Sequence, residues 1–194
     1  WTTTPWTLPS NAALAVGANI TYLLVRTFNA YTFQPISVVV AKDLFAKHFN
    51  PKNAELTIED YKEGNKNIPF RIEKEIKGSD LQDMRFEQLM PYVQPDGNAF
   101  RVIVGDFVST EDGTGIVHIA PTFGADDFRV AKQHDVPPIM VNDESGKPMP
   151  LVDRQGRFVK EVTDFAHEYV KEEYINETDK EALRVKQGRD KYLN

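Results

Sequence analysis

Cysteine is absent from the 194 residues, which excludes a disulfide framework, a thiol nucleophile and a thiolate metal site. Long apolar runs are missing too. Nothing approaches the roughly 18 to 20 residues that cross a bilayer, and no basic stretch precedes an apolar one at the amino end. A soluble, cytoplasmic chain with no membrane partner is expected. Excess positive charge is also lacking: 23 Lys and Arg face 29 Asp and Glu, a formal net charge of −6. The chain as a whole therefore lacks the footprint of an autonomous nucleic-acid binder, and any nucleic acid it touches should be held mainly by something else. The four histidines, His48, His118, His134 and His167, show no paired ligand spacing. No Walker-type loop or Ser-His-Asp arrangement is visible. There is no initiator Met, and Trp1 falls straight into a motif, so a fragment of a longer protein is expected.

What is present reads as an ordinary folded domain. Hydrophobic residues make up 41% and charged residues 27%, and the length predicts one domain over residues 1–194. The centre of the chain is Gly113-Thr114-Gly115 followed by Ile116 to Asp127. Ile116, Val117 and Ile119 are β-branched and bounded by Gly and Pro, which predicts a short buried strand. Helical spacing resumes from Phe128 to His134. One imidazole, His118, and two acids, Asp126 and Asp127, thus sit at a strand-to-helix junction, where unpaired helix N–H groups and rigid strand ends favour binding groups. The same two acids would also serve as simple helix N-terminal charges.

In chain order, Ala12–Val16 and Ile20–Arg26 predict strands joined as a hairpin through Gly17-Ala18-Asn19. Pro35–Val40 predicts a third strand, leading into a short helix with Leu44, Phe45, His48 and Phe49 on one face. His48 reads as a helix residue, not a ligand. Residues 50–67 read as an exposed excursion. Strands follow at Phe70–Gly78, Ala99–Gly105 and Phe107-Val108, then at Pro137–Val141 and Gly156–Val159. Asp164 is expected to cap a helix carrying Phe165, Tyr169 and Val170, and Glu172–Asn194 to form a surface helix or a linker. Many short strands and few long helices predict a mixed α/β fold, with a β-barrel-like core surrounded by helices.

The opening segment is chemically unusual. Thr2, Thr3, Thr4 and Thr7 stand among Pro5, Trp6 and Pro9; both prolines remove donors and bias Thr4 and Leu8 to extended backbone. An extended segment is expected, either an edge strand with its Trp rings packed inward or a row of hydroxyls lining a pocket.

Taken together, Thr2 to Asn11 and, about a hundred residues later, Gly113 to Pro121 with Phe123-Gly124-Ala125-Asp126-Asp127 resemble the inserted editing domain of the isoleucyl-tRNA synthetases, class I aminoacyl-tRNA synthetases. The leucyl and valyl families usually carry Arg-Pro-Asp-Thr or Arg-Pro-Glu-Thr where this chain has Thr4-Pro5-Trp6-Thr7. The resemblance spans nearly the whole chain. It implies a hydrolase that clears valine wrongly esterified to tRNA(Ile), acting on the tRNA 3′ end with the rest of the synthetase in cis. It implies no cofactor here; ATP and magnesium would serve the ligase site elsewhere in the full enzyme. By the same resemblance Asp127 pairs with the α-ammonium of the misattached amino acid, and His118 borders the side-chain pocket and helps exclude isoleucine. Thr2, Thr3, Thr4 and Thr7 form a wall that holds adenosine and ester and helps position water, with Trp6 and Asn11 in the same wall; Asp126 is structural. Water acts without a protein nucleophile, with a substrate hydroxyl as general base and His118 as the competing assignment. Phe123-Gly124 departs from the family's frequent His-Gly. The alternatives are a valyl-type domain clearing threonine and a non-hydrolytic insert that docks the tRNA end.

Overall fold

The computed structural model describes residues 2–180. The chain divides into two compact units, Trp1–Leu89 with Asp96–Pro138, and Met90–Pro95 with Ile139–Asn194.

The first unit is built on two three-stranded sheets. In one, β1 (Ala13–Val16) lies between β5 (Arg101–Val104), to which it runs parallel, and β6 (Ile116–Ile119), to which it runs antiparallel. In the other, β2 (Thr21–Phe28) lies between β3 (Pro35–Ala41) and β4 (Arg71–Lys77), all antiparallel, with a register shift at Leu24/Val25. Val16 and Val102 from the first sheet and Tyr22, Leu23, Val25, Val40 and Ala41 from the second bury one shared core, completed by Leu44, Phe70 and Leu81. Burying aliphatic side chains of this size is worth about 1.5–3 kcal/mol each. A 3-10 turn at Lys42–Leu44 and α1 (Phe45–His48) follow β3. Their aromatic side packs inward: Phe45 stacks on Phe49 at 4.7 Å and meets Phe70 edge-on at 5.1 Å. The polar His48 stays exposed and bonds the Gly113 carbonyl through Nε2 at 2.7 Å. After β6 comes α2 (Ala125–Gln133).

The second unit contains the ribbon of β7 (Met140–Asn142) and β8 (Pro148–Pro150). Its turn is organised by Asp143, whose Oδ1 accepts from Ser145 N and Oγ and from Lys147 N. Those bonds, that of the Ser145 hydroxyl foremost, hold the Asp143 carboxyl below its usual range. Asp153 Oδ1 repeats the device with Gln155 N and Arg157 N.

Several expectations are corrected. The two three-stranded sheets and the ribbon do not close into a barrel among the described residues: the outer edge of β5 is met by an isolated bridge from Arg85 to Arg101 and not by a strand of the other sheet, and closure requires every edge strand to pair with the next. β1 and β2 are not a hairpin. The tight turn is there, with Ile20 N–H bonded to Gly17 O at 3.1 Å, but it carries the chain from one sheet to the other. The β6 strand is only part-buried, with Val117 37% exposed. Phe107-Val108 is no strand: Phe107 lies in a turn and is 44% exposed, and Val108 follows it as a buried residue outside any regular element. Gly156–Val159 forms isolated bridges, Val152 to Phe158 and Arg157 to Tyr169, and no regular strand. Asp164 lies inside a three-residue 3-10 turn, Thr163–Phe165, whose N-cap is Val162. In the tail, Glu172–Tyr174 is a 3-10 turn and residues 177–180 are helical; the rest of the segment expected as a surface helix or linker, residues 181–194, lies outside the described residues.

Candidate functional site

The opening segment is not extended: Pro5–Ser10 is a 3-10 helix. Proline's fixed φ near −65° suits this helix, and at the first helical position its missing N–H costs nothing. Bonds of i to i+3 type tie the two ends of the helix to the flanking residues, Thr7 N–H to Thr4 O and Asn11 N–H to Leu8 O, both at 3.0 Å. The coil brings Thr4 and Thr7, three residues apart, onto one side.

A second element meets that side. His118, opposite Leu14 in the β1–β6 register, places Nε2 at 3.1 Å from Thr2 Oγ1 and 3.4 Å from Thr7 Oγ1. The hydroxyls continue among themselves, Thr2 to Thr4 at 3.3 Å and Thr4 to Thr7 at 3.4 Å. Thr4 N–H donates to Thr2 Oγ1 at 3.1 Å, and Thr7 Oγ1–H to Thr4 O at 2.8 Å. The sequence motifs at residues 2–11 and 113–127 thus converge.

Asp127 comes from the first turn of α2. Its Oδ2 accepts from Ala120 N–H at 2.8 Å, which fixes the β6-to-α2 loop and leaves Oδ1 without a protein hydrogen bond among the described residues. Burial pushes the His118 imidazole below its usual range, and the nearby Asp127 charge opposes this only in part. Asp126 is exposed and pairs with Arg129 at 3.0 Å.

The other expected residues stand as follows. Thr3 is exposed and outside the ladder. Trp6 is half-buried on the 3-10 helix. Asn11 is 6% exposed, and its Oδ1 is a buried acceptor with no partner. Two hydroxyls not singled out from the sequence, Ser10 Oγ and Thr122 Oγ1, are likewise buried and unpartnered. Both lie inside the motifs, so membership of the motif was the signal that could have found them. Orphaned polar atoms are uncommon in folded interiors and mark places where a ligand or water completes the bonding. Among the described residues, no three of His, Asp and Glu converge as a metal ion would need. No helix there is long and apolar enough to cross a membrane.

The arrangement offers a carboxylate with one free oxygen, a neutral imidazole and a row of hydroxyls. It can hold a cationic group and orient water or an ester next to it.

No protein-family model matches the chain. It is 65% identical over its full length to an isoleucine–tRNA ligase of Cytophaga hutchinsonii, of which it spans 18%. It is 60% identical over 158 residues, 81% of its length, to that of Bacteroides fragilis, of which this is 14%. A crystal structure of GlLeuRS-CP1, a leucyl-tRNA synthetase CP1 domain, shares the fold, with a TM-score of 0.52 and 16% identity over 96% of this chain and 79% of that one.

Proposed function

Because this chain belongs to the isoleucine–tRNA ligase family, as a segment of those longer enzymes, we propose that it is their editing domain, both compact units included, and that it hydrolyses valyl-tRNA(Ile). The observation that carries the reading is the convergence of His118 on Thr2 and Thr7 in a chain of that family. The chemical need is general. A pocket for a larger aliphatic side chain gains only about 1–3 kcal/mol against one methylene fewer, a limit for which isoleucyl enzymes are the standard worked example, and a second, smaller pocket makes up the deficit.

In this reading Asp127 Oδ1 takes the α-ammonium of the esterified amino acid through a charge-assisted bond. The His118 ring sets the size limit of the side-chain pocket. The ladder of Thr2, Thr4 and Thr7 forms the wall against which the ester and its water are ordered, while Asn11 and Trp6 contribute to the same wall and the exposed Thr3 is available to the tRNA end. Water adds to the ester carbonyl, the ribose oxygen leaves with a proton, and valine and free tRNA result. No covalent enzyme intermediate is needed, since orientation and solvation of the developing charge supply the rate.

Deacylation of valyl- and isoleucyl-tRNA(Ile) by the full-length ligase tests this, with Asp127→Ala and Asp127→Asn alongside. Valine should leave faster than isoleucine, and both variants should lose roughly 100-fold, the worth of a hydrogen bond to a charged group. Asp127→Asn retains an acceptor for Ala120 N–H and so separates charge from loop order. Equal rates on both esters would sink the second sieve. Rates untouched by either variant would leave a docking insert.

A further inference from the structure

The bonds around His118 can be given a direction by counting hydrogens. Thr7 has one hydroxyl hydrogen, and it goes to the Thr4 carbonyl, which only accepts. The contacts of Thr7 Oγ1 with Thr4 Oγ1 and with His118 Nε2 therefore draw their hydrogens from the other side. Thr4 Oγ1–H donates to Thr7, and His118 Nε2 carries a hydrogen. With the Thr4 hydrogen spent, the Thr2–Thr4 contact takes its hydrogen from Thr2. The opposite tautomer would place two lone pairs face to face at Thr7. It would also bury an N–H at Nδ1, which has no partner, and an orphaned donor is rarer than an orphaned acceptor. Burial, which pushes the imidazole's pKa down, agrees with a ring that carries no second hydrogen.

Capacity can be counted the same way. Thr2 Oγ1 accepts from Thr4 N–H, Thr7 Oγ1 accepts from Thr4 Oγ1–H, and the two share the single His118 Nε2 hydrogen as a bifurcated bond, the shorter arm at 3.1 Å to Thr2 and the longer at 3.4 Å to Thr7. Both oxygens are thus engaged within the ladder. Thr4 Oγ1 accepts from Thr2 alone, so among the described residues one lone pair stays open on the ladder.

We propose that His118 is a neutral Nε2–H donor, a positioning residue and not a base, which locks the threonine ladder in one direction and leaves Thr4 Oγ1 to accept an O–H donor at the site. That donor is the hydrolytic water or a ribose hydroxyl of the tRNA end. The inference rests on the editing reading for its ligand, but not for its tautomer.

Two measurements test it. In the 194-residue chain labelled with 15N, ring-nitrogen shifts at neutral pH should show His118 protonated at Nε2 and bare at Nδ1; protonation at Nδ1, or at both, overturns the proposal whatever the activity. In the full-length ligase, Thr4→Val should lower deacylation about tenfold, the worth of one hydrogen bond, and Thr4→Ser should restore most of it. A fall in kcat with KM held identifies water as the donor, and a rise in KM with kcat held identifies the ribose hydroxyl. Thr4→Val as active as the parent overturns the open acceptor. Absence of deacylation by the parent ligase would sink the editing reading and leave the tautomer to the NMR result.

Discussion

The two three-stranded sheets of the first unit divide the work of the molecule. The β3-β2-β4 sheet has strands of seven and eight residues and carries no candidate site residue. The β5-β1-β6 sheet has strands of four, too few for much stability alone, yet it carries His118 and feeds the loop to Asp127. Its central strand is fenced on both edges and nearly all buried, so its backbone has little freedom. A short strand anchored to a longer sheet gives a rigid platform whose own side chains are free for chemistry. The anchor is visible: Tyr22 of β2 accepts from Gly17 N–H at 2.9 Å and donates to Gly115 O at 2.6 Å, tying itself to the end of β1 and the start of β6.

The largest test of this division is Gly115→Ala. Gly115 has φ +73°, and an added Cβ would lie 2.5 Å from Ala41 Cβ, an overlap on top of backbone strain. A loss of about 3 kcal/mol in urea unfolding is expected; an unchanged midpoint would mean that the sheets are not locked there. Tyr22→Phe should cost about 2 kcal/mol, because it strands a buried N–H and a carbonyl. The hydroxyl's pKa is raised by burial, which outweighs the Gly17 bond. Its stabilisation is therefore present below the ordinary tyrosine range and lost as pH rises through the raised value, so alkaline unfolding of the parent and Tyr22→Phe should converge.

On the site sheet a smaller, opposite dependence is expected. The folded chain disfavours His118 protonation, so the unfolded chain binds the extra proton first. The contribution is complete above the ordinary histidine range near 6.5 and is lost as pH falls below it. His118→Gln should flatten that part of a stability-against-pH curve. At the outer face of the long sheet, Lys42→Ala should move the midpoint by no more than about 0.5 kcal/mol, since its 2.6 Å pair with Glu75 is exposed. A large effect would show that the surface of that sheet also bears load.

Much of this was legible in the chain. The β-branched runs at Pro35–Val40, at Phe70–Gly78 and from Ile116 marked β3, β4 and β6 to within a residue or so, and the helical spacing from Phe128 to His134 marked the body of α2, which starts three residues earlier, at Ala125. Pairing was not legible. Ala13 meets Arg101 on one side and Ile119 on the other, across about ninety and a hundred residues, and no local pattern distinguishes that from a hairpin. The prolines misled for a related reason: they exclude an α-helix, but their φ fits a 3-10 turn equally well. At the site, residue types pointed to His118, Asp127 and the threonines. Which hydroxyls join His118 depends on the coil of Pro5–Ser10, so the exclusion of Thr3 and the burial of Ser10 required coordinates.

The closeness of Gly115 to Ala41 and to the Tyr22 ring also bears on how such a chain can change over generations. A side chain at 115 is tolerable only if 41 shrinks, and 41 is already alanine. The hydroxyl of 22 in turn needs the carbonyl of 115 within reach. These three positions, 19 and 74 residues apart, behave as one heritable unit, and drift at any of them should be recorded as simultaneous change or as none.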